Sequence, residues 1–192
     1  MRPIAKDKRY TVRDYRSWDD DGRYELIDGE VFDMAPAPNP SHQSLTMKIS
    51  TQLDVFLERK PCRVFAVPFD VYPFGDKDGD TVVQPDVFVV CGRAKITNRG
   101  VTGAPDIVVE VLSPYTSMRN SSKKFRLYQR AGVPEYWLVS PDERAVFRYI
   151  LVDGQYEETE YTSGETPSVV LPDFKLDVDA MFGSLIGLVE DE

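Results

Sequence analysis

Histidine and cysteine are scarce in this chain: His42 stands alone, and Cys62 and Cys91 are the two cysteines in 192 residues. That supply argues against a zinc centre built from His and Cys ligands. The cysteines fall outside any Cys-x-x-Cys or secreted-framework spacing, which predicts reduced thiols with no redox or metal role. No apolar run approaches the ~20 residues that span a bilayer. Residues 1–10 are basic but lack the apolar stretch of a signal peptide. These absences predict a cytoplasmic protein with no membrane partner. Internal repeats, low-complexity tracts and linker composition are also missing, so residues 1–192 read as a single domain. Residues 1–20 form an N-terminal extension in that reading, and residues 153–192 an acidic C-terminal segment.

The net charge of −9 is unevenly spread. Residues 153–192 carry 11 acids and one lysine, whereas residues 1–152 are nearly balanced. No acid occurs between Val111 and Pro134, a stretch that holds Arg119, Lys123, Lys124, Arg126 and Arg130. That stretch could face phosphates, and a solvated helix face explains it equally well.

Asp28-Gly29 lies between two half-apolar runs, and Asp153-Gly154 follows the apolar run 145–151, so both read as hairpin turns. Prolines 36, 38 and 40 precede a helix through about Glu58, with Ser41 as its predicted cap and Leu45, Ile49, Leu53, Phe56 and Leu57 as its apolar stripe. Residues 63–73 read as one strand, and residues 92–103 as a loop. A helix over 118–131 stops at Gly132, ahead of strands at 135–139 and 145–151. A short helix is predicted near 178–182. The expected fold is mixed α+β, with a mixed β-sheet flanked by helices and hairpins added at both ends.

Two carboxylates interrupt apolar runs: Asp86 within residues 82–90 and Glu110 within residues 106–112. Valine-rich runs of this length read as strands covered on both faces, where an unpaired acid is costly. Strand parity puts Asp86 with Gln84 and Phe88, and Glu110 with Asp106, Val108 and Leu112. If those faces coincide, the two acids can share one hard cation such as Mg2+. Lys124 lies on the same helical face as Leu127, Tyr128 and Ala131, which directs it inward, where it could position a water and stabilise charge on a phosphate. Backbone amides or arginines could instead satisfy the acids as a purely structural pair.

The order Pro85-Asp86, Glu110-Val111-Leu112-Ser113-Pro114, Lys124 with Tyr128, and residues 131–139 resembles the Uma2 family, also called DUF820. The segments Tyr24-Glu25-Leu26-Ile27-Asp28-Gly29-Glu30 and Ser41-His42-Gln43 are similar to that family's opening, and the resemblance spans roughly residues 20–182. It implies a restriction-endonuclease-like core of the PD-(D/E)XK type. Asp86 and Glu110, with the Val111 carbonyl, would hold Mg2+ or Mn2+, and Lys124 would orient or deprotonate the attacking water. Leu112 stands where the motif lysine is expected, and the resemblance implies that Lys124 would be a migrated lysine. Asn120 and Ser140 stand where the family often has aspartate.

The implied function is a Mg2+-dependent endonuclease acting on DNA, with a homodimer expected because two strands are cut most simply by two symmetry-related sites. Glu25 is a further candidate for the site or an ordinary hairpin charge; His42 reads as a capping or packing residue. A catalytically silent nuclease-fold module remains open, and a glycosidase is disfavoured because its chemistry does not call for Lys124.

Overall fold

The structure, a computed structural model, describes residues 8–19, 22–34, 39–75, 79–113 and 118–188. Prolines 36 and 38 and the predicted strand end at 114–116 lie outside those residues, as do the side chains of 118–121.

Thr11 caps α1 (Val12–Arg16) through a capping box with Asp14. β1 (Tyr24–Ile27) and β2 (Glu30–Asp33) pair antiparallel around Asp28 and Gly29, whose φ values of 50° and 75° are the left-handed pair that an Asp-Gly turn supplies. α2 (Pro40–Leu57) begins two residues earlier than a Ser41 cap would set it. Asn39, not Ser41, is its N-cap, because Pro40 suits the first helical position, where no amide donor is needed.

The predicted strand over 63–73 is two strands, β3 (Arg63–Ala66) and β4 (Val71–Tyr72), divided around Pro68, which has no amide hydrogen for a ladder. β5 (Val87–Val90) follows Asp86 directly. The predicted loop over 92–103 contains β6 (Ile96–Thr97) and β7 (Gly100–Thr102), which join β4 in a small sheet. Gly100 is required there: a Cβ would lie 2.3 Å from the Asp70 carbonyl oxygen.

β8 (Ile107–Val111) and β9 (Glu135–Ser140) are parallel and joined by α3 (Met118–Ala131), whose C-terminal glycine, Gly132, has φ of 78°. β10 (Ala145–Val152) and β11 (Gln155–Tyr161) form the second Asp-Gly hairpin. β12 (Glu165–Pro167), β13 (Lys175–Asp177) and α4 (Val178–Gly183) close the chain as a small hairpin and one short helix.

Among the described residues the main sheet has six strands in the order β11-β10-β9-β8-β5-β3, antiparallel except for β8 with β9. Leu45, Ile49, Leu53 and Leu57 of α2 pack on one face with Val87, Val109 and Trp137. Leu127 and Tyr128 of α3 pack on the other with Phe88, Val108 and Tyr136. The sheet therefore has the two covered faces that its valine-rich strands require.

Cys62 and Cys91 are joined by a disulfide, with their Cα atoms 3.9 Å apart. The sequence spacing concealed this because the β3–β5 register, with Arg63 opposite Val90, brings the flanking cysteines face to face. Cysteine usage therefore no longer supports a reducing compartment. No helix among the described residues is long and apolar enough to cross a membrane.

The acidic C-terminal segment is anchored by Glu135, which is fully buried. Its carboxylate accepts hydrogen bonds from the Trp137 indole at 2.8 Å, the Ser168 hydroxyl at 2.6 Å and the Val169 and Val170 amides at 3.1 Å. Removing the acid takes the acceptor from four donors, of which the Trp137 indole is fully buried. Glu135→Ala should lower the unfolding free energy by about 3 kcal/mol. Urea denaturation reads this directly, and a loss below about 1 kcal/mol would show that these bonds do not hold the segment.

Candidate active site

The register of β5 with β8 pairs Val87 with Val109 and Phe88 with Val108. Continued by one residue, it sets Asp86 opposite Glu110. The Val111 amide donates to Asp86 Oδ2 at 2.8 Å, which fixes the carboxylate across the strand end. Glu110 shares the α3-facing side of β8 with Val108, as the alternation of strand side chains requires.

α3 leaves the carboxyl end of β8 and runs back over this face, carrying Lys124 and Tyr128 one turn apart. Lys124 Nζ lies 2.9 Å from Glu110 Oε1 and 2.8 Å from Glu25 Oε1. The Tyr128 hydroxyl donates to the same Glu110 oxygen at 2.5 Å. Glu25, on β1, also accepts the Gln84 amide at 2.8 Å. All three charged side chains are at least 87% buried, with 13% of the Lys124 side chain exposed, 12% of Glu110 and 9% of Glu25.

His42 reaches the site from the first turn of α2. Its Nε2 lies 3.1 Å from Asp86 Oδ2, and Thr46 lies 3.4 Å from its Nδ1. Sequence reasoning gave His42 a capping or packing role and missed this contact; the Ser41-His42-Gln43 segment was the available signal, without any indication of which acid it meets.

Burial raises the Glu110 carboxyl to about 7; Lys124 opposes that rise, while Asp86 and Glu25 add to it. Burial alone would lower the Lys124 pKa, but Glu110, Glu25 and Asp86 outweigh it and hold the ammonium charged well above the usual lysine range. Burial would likewise lower the His42 pKa, and the Asp86 hydrogen bond, the carboxylate charges and a bond with the Val111 backbone raise it instead.

Three carboxylates thus meet one ammonium, an arrangement with excess oxygen ligands and negative charge. Asp86 uses Oδ2 for Val111 and His42, and Glu110 uses Oε1 for Lys124 and Tyr128. Asp86 Oδ1 and Glu110 Oε2 receive no hydrogen bond from the described residues. Among those residues no three His, Cys, Asp or Glu side chains stand as a ready ligand group. Asp86 Oδ1 and Glu110 Oε2 are carboxylate oxygens, the donor type that hard cations take.

Other sequence candidates have structural partners. Asp106 accepts the Cys91 amide at 2.8 Å. Ser140 accepts the Glu143 amide at 3.2 Å. In the basic stretch, Lys123 pairs with Glu30 at 2.5 Å and Arg130 with Asp28 at 2.5 Å, so these two bases dock α3 onto the β1–β2 hairpin. Arg126 remains exposed.

The model of the Uma2 family, described as "Putative restriction endonuclease", matches residues 12–179. An uncharacterized protein of Synechocystis sp. is 26% identical over 141 residues, 72% of each chain. A crystal structure of "a putative nuclease belonging to DUF820" from Anabaena variabilis superimposes with a TM-score of 0.74 at 21% identity, covering 92% of this chain and 99% of that one. That likeness establishes the fold.

Removing Lys124 leaves two buried carboxylates uncompensated. Lys124→Met should cost about 3 kcal/mol of stability in the presence of a chelator. Adding Glu110→Gln should recover a large part of it. Denaturation of the single and double variants checks this coupling, and strictly additive losses would contradict it.

Proposed function

The chain belongs to the Uma2 family, and from that membership and the acid–lysine cluster we propose that it is a divalent-cation-dependent nuclease hydrolysing phosphodiester bonds of DNA. One observation carries the reading. Asp86, just before β5, and Glu110, in the adjacent β8, each commit one carboxylate oxygen to fixed protein donors and leave the other unbonded among the described residues.

Asp86, Glu110 and the Val111 carbonyl are the groups that would hold Mg2+ or Mn2+. Such an ion supplies Lewis-acid stabilisation of the phosphate and a bound water of lowered pKa. The protein's own groups do the positioning. Val111 and His42 fix the rotation of Asp86, and Tyr128 fixes Glu110. Glu25 holds Lys124 beside the acids, where its ammonium can donate to the attacking water or to charge developing on the scissile phosphate. Such a preformed donor loses little free energy to rearrangement during the reaction.

The positive charge on Lys124 is strongly favoured by its surroundings, so we assign it to orienting water and stabilising charge. Abstraction of the water's proton by its neutral form is disfavoured for the same reason. A homodimer, placing one site on each DNA strand, is part of the same proposal.

Cleavage of plasmid DNA in Mg2+ or Mn2+ should cease in chelator and fall at least about 100-fold in Asp86→Ala and Lys124→Ala proteins that remain folded. Cleavage that survives both substitutions would falsify the site. Loss of the orienting imidazole in His42→Ala should weaken Mn2+ affinity or activity about 10- to 100-fold. Calorimetry and cleavage rates measure the two effects separately, and unchanged values for both would reduce His42 to a packing role.

A further inference from the structure

α3 carries Lys124 into the acid cluster on a turn with little apolar anchorage of its own. From Ser122 to Arg126 the sole apolar side chain is Phe125, partly buried against Tyr149 and Tyr156 at ring-centroid distances of 5.0 and 5.2 Å. Fully buried apolar residues of α3 begin with Leu127 among those described. Phe125 therefore holds the side of this turn next to β10 and β11. The side next to β1 and β2 is held by charge.

Lys123 Nζ lies 2.5 Å from Glu30 Oε2 and 4.5 Å over the Phe32 ring, and both partners belong to β2. Glu30 turns its other oxygen to the Arg9 guanidinium at 3.5 Å, which also donates to the Asp28 carbonyl. Two turns further along α3, Arg130 sets its two terminal nitrogens on the two carboxylate oxygens of Asp28, at 2.5 and 3.2 Å. Such a fork fixes direction as well as distance.

The hairpin is itself tied down. Leu26 exchanges backbone hydrogen bonds with Val82 at 2.8 and 2.7 Å, and the Gly29 amide donates to the Asp80 carbonyl at 2.8 Å. Those bonds join the hairpin to residues 80–82, a few positions before Asp86, so a helix pinned to the hairpin is pinned relative to the acids. With 29% of the Lys123 side chain and 46% of the Glu30 side chain exposed, the pair adds little to stability, and its loss leaves a folded protein. Its effect on geometry is larger. Lys124 is the next residue after Lys123, and a displacement of about 1 Å at a reacting group can cost as much as about 100-fold in rate.

We propose that Lys123, through Glu30, is a positioning residue for Lys124: it sets the turn of α3 from which the neighbouring ammonium reaches Glu25 and Glu110. The proposal rests on the nuclease reading and concerns turnover, not the grip on DNA. It removes Lys123 from the phosphate contacts that its place in a basic stretch suggests.

The test is the rate of metal-dependent plasmid cleavage as a function of plasmid concentration, with circular dichroism reporting the fold of each variant. Lys123→Gln and Glu30→Gln should each lower kcat about tenfold and leave KM unchanged. The double variant should lose no more than either single one, because the second change has no pair left to break. A raised KM with unchanged kcat in Lys123→Gln would make this lysine a phosphate contact and overturn the proposal. Losses that multiply in the double variant, or an unchanged kcat in either single variant, overturn it as well. Unfolding of both single variants would show a structural role in its place. In each of these cases cleavage by the unaltered protein keeps the nuclease reading, whereas absence of that cleavage removes the two proposals together.

Discussion

The buried ammonium of Lys124, held between Glu25 and Glu110, joins three stretches of chain that are distant in sequence. β1 brings one acid, β8 the other, and α3 the lysine. Each acid would be costly to bury alone, and the lysine more so; together they exchange lost hydration for short charge-assisted hydrogen bonds. The contact ties the β1–β2 hairpin, β8 and α3 together at one point. A third carboxylate, Asp86, stands at the same strand edge with one oxygen fixed by Val111, which leaves the site with an excess of acids.

The same principle organises the charge on α3. The acid-free stretch is not one uniform phosphate-facing surface: Lys123 and Arg130 are consumed by Glu30 and Asp28, which clamp the hairpin against the helix, while Lys124 turns inward. Surface pairs of that kind contribute modestly to stability, but here they set where Glu25 can reach.

Much of the fold was legible locally. The spacing of Leu127, Tyr128 and Ala131 with Gly132 behind them specified α3 to the residue, and both Asp-Gly turns folded as their left-handed preferences require. The alternation around Asp86 and Glu110 gave their shared face. Contacts that depend on how elements cross were not legible. The Cys62–Cys91 bond needs the β3–β5 register, and the approach of His42 to Asp86 needs the path of α2 over the sheet. The Lys123–Glu30 pair needs the hairpin to fold back on α3. α1, β6 and β7 are too short for a periodic pattern to declare them.

The proposed nuclease needs Asp86 and Glu110 to share a cation while Lys124 remains beside them. In anomalous diffraction from Mn2+-soaked crystals, an ion should be bound by Asp86 and Glu110, with Lys124 still paired with Glu25. An ion bound elsewhere, or Mn2+-saturated crystals with no ion between the two carboxylates, would contradict it.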